Sequence, residues 1–167
     1  GHVVAGNIGS SHKMDHTIIG DAVNCASRIE ALTRRFNIDI LITDQIESQL
    51  EGAYRTRFLG TVRVKGKLDA VDVFEVYDHR PNQVKRFIEV HEEDFMLAYK
   101  YRSDFQITQA LKIYDQLWTE SQSVPQLECG DGVLRFYIEH CKELLRNIES
   151  GSMQKESWIP VITFREK

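Results

Sequence analysis

Apolar residues follow two different periods along this chain. Residues 1–19 are rich in Val and Ile on either side of Gly9-Ser10-Ser11, which predicts a hairpin with strands over 2–8 and 15–19. Gly20-Asp21 interrupts the second run, and Asp21 suits the N-cap of a helix extending to about residue 35. On that helix Ala22, Cys25, Ala26, Ile29, Leu32 and Phe36 share one arc, the predicted buried face. Asn24, Arg28 and Arg35 form a polar row beside it, and Asn24 and Arg28 have the i,i+4 spacing that stacks two side chains. Residues 38–42 predict a short buried strand, and Thr43 caps a short helix ending near residue 50. Two further strands follow over 54–64 and 71–77, joined by the turn Lys65-Gly66-Lys67-Leu68-Asp69. Strands and helices mixed in this way predict an α+β sandwich.

The period changes after Asp78-His79-Arg80-Pro81-Asn82, a polar stretch that marks residues 79–91 as a linker. Beyond it Phe95, Ala98 and Tyr101, then Ala110, Ile113, Tyr114 and Leu117, describe two amphipathic helices joined near residues 102–105. Residues 131–147 predict a third, with Leu134, Tyr137, Ile138, Cys141, Leu144 and Leu145 on its apolar side. The predicted organisation is therefore a mixed unit over 1–78, a linker, a helical tail over 92–150 and an extended segment over 151–167. Pro160 keeps that last segment out of the middle of a sheet.

The 167 residues suffice for one core with a small appendage, and 42% hydrophobic with 28% charged residues is ordinary for a globular protein. A formal net charge of −4 excludes a general nucleic-acid binder, yet leaves room for a local basic cluster that holds a small anion. Cys25, Cys129 and Cys141 are odd in number and widely spaced, which predicts neither a disulfide framework nor a zinc site and fits a reducing cytoplasm. No apolar run reaches membrane-span length. The chain opens inside an apolar run without an initiator Met, so it reads as a segment of a longer protein whose upstream part could carry a membrane tether.

The string GHVVAGNIGSSHKMDHTIIGDAVNCASRIEALT resembles class III adenylate/guanylate cyclases where a strand hairpin enters the helix bearing catalytic Asn and Arg. The resemblance continues through Leu59-Gly60-Thr61-Val62-Arg63-Val64-Lys65-Gly66-Lys67 and the run 71–77. It implies the C-terminal half of a ferredoxin-like cyclase domain. It further implies head-to-tail dimers with shared sites, conversion of a nucleoside triphosphate to a cyclic 3′,5′-monophosphate, and Mg2+ or Mn2+ held by carboxylates upstream of this chain. By the same resemblance Asn24 orients the ribose, and Arg28 stabilises the phosphates in the transition state. Lys65 binds the triphosphate, and Thr17 reads the base, with Ile18 offering a carbonyl and an apolar wall. Thr at that position implies ATP. Taken alone, Asn24 and Arg28 would be a solvated helix face, Lys65 a hairpin tip and Thr17 a β-branched strand residue. Asp15 and Asp21 are structural on this reading, and no metal ligand lies in the chain.

The tail resembles a tetratricopeptide repeat at Leu97, Ala98, Tyr101, Ala110, Tyr114 and Leu117, although a plain helical hairpin fits the same pattern. One repeat cannot bury its face alone, so the tail must pack on the cyclase unit or on a protein partner. Two functions follow. One is half of an adenylate cyclase, homodimeric at full length and inactive as this fragment. The other is a non-catalytic cyclase-like regulatory module.

Overall fold

The computed structural model describes residues 1–10, 13–64, 70–127 and 129–164. Strands β1 (Val4–Ser10) and β2 (Lys13–Ile19) pair antiparallel without a slip, from Val4 opposite Ile19 to Ser10 opposite Lys13. Both faces of this ribbon are open, with Val4 75% and Met14 62% exposed. A two-stranded ribbon is marginal without cover.

Helix α1 (Asp21–Phe36) follows, with Gly20 and not Asp21 at the N-cap. Asp21 instead sits in the first turn, where a carboxylate favours the positive helix end. Asn37 ends the helix in the left-handed conformation, the usual αL stop. The predicted buried arc holds only for Ile29, Leu32 and Phe36 at its C-terminal end. Ala26 is exposed and Ala22 and Cys25 are half-buried, because packing reaches only the far half of the helix.

A second sheet has the order β3-β5-β4-β6. Strands β3 (Leu41–Thr43) and β4 (Thr56–Val64) flank β5 (Val71–Val76) antiparallel, and the one-turn helix α2 (Asp44–Glu47) joins β3 to β4. Strand β6 (Ile162–Phe164), from the end of the chain, adds parallel to β4 with Ile162 opposite Val62. Pro160 stands outside it, and β6 occupies the sheet edge.

The stretch 79–91 is not a plain linker. Residues Asn82–Val90 form helix α3, burying Val84, Phe87 and Ile88 at i, i+3 and i+4. Its polar flanks concealed that short period. Helices α4 (Glu92–Ser103), α5 (Ile107–Ser121) and α6 (Gly132–Glu149) complete the tail. Leu97, read as a packing position, is 42% exposed, whereas Ala98, Ala110, Tyr114 and Leu117 are buried.

One hydrophobic cluster joins the sheet to the tail, including Leu59, Val62 and Val73 together with Ala98, Tyr114 and Tyr137. Tyr137 donates its hydroxyl to the Leu59 carbonyl, and the Thr61 amide donates to the Tyr99 hydroxyl at 3.1 Å. A β-bulge at Phe58–Gly60 makes room for both tyrosines. Gly60 has φ +131, and a Cβ there would lie 2.5 Å from the Tyr137 hydroxyl oxygen and 3.1 Å from the Tyr99 ring. That position therefore requires glycine.

A buried ion network crosses the same junction. Arg57 donates to Glu75 at 2.6 Å and to Asp131 at 3.0 Å, and Arg80 donates to the other Glu75 oxygen at 3.1 Å. Burial opposes the Arg57 charge, but Asp131 and Glu75 together outweigh it and raise its pKa. Asp131 also caps α6, accepting from the Val133 and Leu134 amides at 2.9 and 3.1 Å. Asp131→Ala removes the cap and leaves a buried guanidinium half-paired. It is expected to destabilise the protein by about 3–5 kcal/mol, read as a lowered denaturant midpoint. A midpoint unchanged from wild type would show that this network does not hold the tail.

Candidate active-site half

The residues singled out for chemistry occupy the first two strands and α1. Thr17 lies on β2 opposite Gly6, and Ile18 opposite Ala5. Ile18 is 52% exposed, so this strand end presents an apolar side chain to solvent. Thr17 is also exposed. Gly20 separates this strand from α1, and the Asn24 amide bonds its carbonyl at 3.2 Å, which opens the helix immediately after the hairpin.

Asn24 and Arg28 lie one turn apart on α1, Asn24 exposed and Arg28 half-buried. The arginine ion pairs among the described residues belong to Arg55, Arg57 and Arg80, so Arg28 has no carboxylate partner there. A helix fixes the mutual geometry of two such side chains better than a loop does. Arg28 is permanently cationic and presents a planar fork of donors suited to phosphate oxygens.

Beside the N-terminal half of α1 an apolar cleft of about 640 Å³ separates the helix from β3, lined by Ala22, Cys25, Ala26, Ile29, Leu41 and Ile46. It explains why the N-terminal half of the predicted buried arc is uncovered. Lys65 lies outside the described residues, as does His12. Asp15 pairs with Lys13 at 3.7 Å on the open hairpin, both side chains exposed.

The described residues contain no convergence of three or more His, Cys, Asp or Glu side chains that could hold a metal ion. Class III cyclases generally use Mg2+ or Mn2+, and the donors in this segment do not fit such a site by themselves. Among the described residues no helix is long and apolar enough to cross a membrane. Sequence reasoning passed over Arg57 and Glu75 and read Asp131 only as the start of a helix, whereas together they join the two halves of the molecule. The local signal was two charged residues inside each of two otherwise apolar strands, which does not say which of them are paired.

Residues 1–78 match the family described as the adenylate and guanylate cyclase catalytic domain. The adenylate cyclase of Anabaena cylindrica is 43% identical over 79 residues, 46% of this chain and 16% of that protein. The terminal-differentiation specific adenylate cyclase of Dictyostelium discoideum is 28% identical over 158 residues. That match takes in 92% of this chain, tail included, and 7% of the relative. The crystal structure of the adenylyl cyclase CyaB from P. aeruginosa aligns with 48% of this chain and 40% of its own, at 34% identity and a TM-score of 0.40. The chain thus spans 7–16% of the length of the two curated relatives.

Proposed function

Residues 1–78 belong to the adenylate and guanylate cyclase catalytic-domain family, and from that premise we propose that this chain supplies one side of an adenylate cyclase active site. The reaction is the conversion of ATP to cyclic AMP and pyrophosphate. The ribose 3′-oxygen forms a bond to the α-phosphorus and loses its proton. The bond from the α-phosphorus to the bridging oxygen breaks, and pyrophosphate leaves with the electron pair. One observation carries the reading: Asn24 and Arg28, one turn apart on α1, with Arg28 unpaired by any carboxylate among the described residues.

Asn24 orients the ribose so that its 3′-oxygen stays in line with the α-phosphorus. Arg28 donates to phosphate oxygens whose charge grows as pyrophosphate departs. Thr17 reads the base, its hydroxyl accepting from the adenine amino group or donating to a ring nitrogen. Ile18 walls the base, and Lys65 meets the triphosphate as a point charge. The metal ligands come from sequence upstream of this chain, and the complete site forms between two protomers. ATP over GTP follows from Thr17 and from relatives that are named adenylate cyclases.

Cyclic nucleotide formation by the full-length protein, measured with ATP and with GTP, tests the substrate. Thr17→Cys is expected to erode the preference for ATP, because only the base contact changes. Lys65→Ala is expected to raise KM for both triphosphates alike, because a phosphate contact is blind to the base. Preference left intact by Thr17→Cys removes the base-reading role. Absence of product from either triphosphate in the wild type leaves the regulatory-module reading, in which the tail binds a protein partner.

A further inference from the structure

A second cleft, of about 1230 Å³, opens between the cyclase segment and the tail. Arg34 and Arg35 enter it from the last turn of α1, Arg63 from β4, and Arg135 and Arg146 from α6. Glu139 and Glu143 line it too, so five guanidiniums face two carboxylates in a chain of net charge −4. None of the five takes part in the arginine ion pairs among the described residues, which belong to Arg55, Arg57 and Arg80. The Nε of Arg63 is buried with no hydrogen-bond partner, and the Nε of Arg146 reaches only the Lys142 carbonyl at 3.4 Å. His140 at the wall adds no charge near neutrality, since burial, and then Arg102, pull its pKa down to about 4. Arg34, Arg35, Arg135 and Arg146 are exposed and Arg63 is half-buried, so water and salt screen part of their repulsion, and an anion in the cleft relieves the remainder. The orphaned Arg63 donor carries a separate cost, the hydration it has lost without a replacement acceptor.

We propose that this cleft is a binding site for an oligophosphate, a ligand whose several negative charges on adjacent phosphates meet the excess of guanidiniums over carboxylates. Forked donors from three elements suit the several oxygens of a phosphate chain better than a single carboxylate. Glu139 and Glu143 repel the ligand toward the Arg34, Arg35 and Arg63 side. A bound oligophosphate therefore ties the last turn of α1 and β4 to α6. The site is separate from Thr17, Asn24 and Arg28, none of which lines the cleft. Trp158 and Ile159 form an apolar wall that a nucleoside could use, so the phosphates are either inorganic or part of a nucleotide.

Calorimetric titration of the full-length protein with inorganic tripolyphosphate decides the matter. The titration should resolve a tripolyphosphate site that persists in Arg28→Ala and that the double variant Arg34→Gln/Arg135→Gln weakens about tenfold or more. The double variant Glu139→Gln/Glu143→Gln should bind several-fold more tightly, a gain that misfolding cannot imitate. If the binding that Arg34→Gln/Arg135→Gln removes is tighter for a nonhydrolysable ATP analogue than for tripolyphosphate, the ligand is a nucleotide, and if it is equal, the phosphates alone are recognised. The proposal is overturned if wild type does not bind tripolyphosphate. It is equally overturned if both double variants bind as wild type does, or if Arg28→Ala alone abolishes binding.

Discussion

Arg28→Ala in the full-length protein is expected to lower kcat about a hundredfold or more while changing KM for ATP far less. The separation follows from when the contact matters. Charge on the leaving pyrophosphate is greatest in the transition state, and a donor aimed there contributes little to holding ground-state ATP. Fold damage does not offer a competing explanation, because Arg28 is outside the buried core and makes no ion pair among the described residues. Arg28→Lys should recover only part of the rate, since an ammonium keeps the charge and loses the fork. Steady-state kinetics with ATP across the three proteins provide the check. A kcat for Arg28→Ala equal to wild type removes the residue from catalysis.

Two inactive full-length variants are expected to restore one another. If Asn24 and Arg28 act on a nucleotide whose metal is held by the other protomer, Arg28→Ala kills both sites of a homodimer. A variant lacking an upstream metal-binding carboxylate does the same. In a heterodimer of the two, one site gathers every intact group and the other gathers both lesions. Random exchange makes about half the dimers mixed, each with one working site, so activity should return to roughly a quarter of wild type. The rise from near zero is large enough to read from cyclic AMP formation after mixing. With exchange verified by differently tagged protomers, continued inactivity would rule out a site shared between subunits. The fragment by itself should produce no cyclic AMP at any added magnesium or manganese concentration.

The local elements were legible because each repeats over a few residues. The hairpin flanking Gly9-Ser10-Ser11, α1 with Asn24 and Arg28 on one face, and the apolar stripe of α6 all follow from periods of two or 3.6. The family was legible for a related reason, since its motifs lie within the continuous run of residues 1–78. Helix α3 escaped because nine residues between polar flanks give too few turns for a period to stand out. The docking of the tail was not legible at all. It depends on Arg57 meeting Asp131 from 74 residues away, on Tyr137 reaching Leu59 across 78, and on β6 joining β4. The gathering of Arg34, Arg35, Arg63, Arg135 and Arg146 around one cleft has the same origin. The sequence by itself determined most of the longer elements and the polar row on α1 that carries Asn24 and Arg28, because those properties depend on neighbours a turn or a strand pair away. Only the tertiary structure decided which charges are paired, which are left unpaired and which helix faces are covered, because such contacts join distant residues and leave no period along the chain.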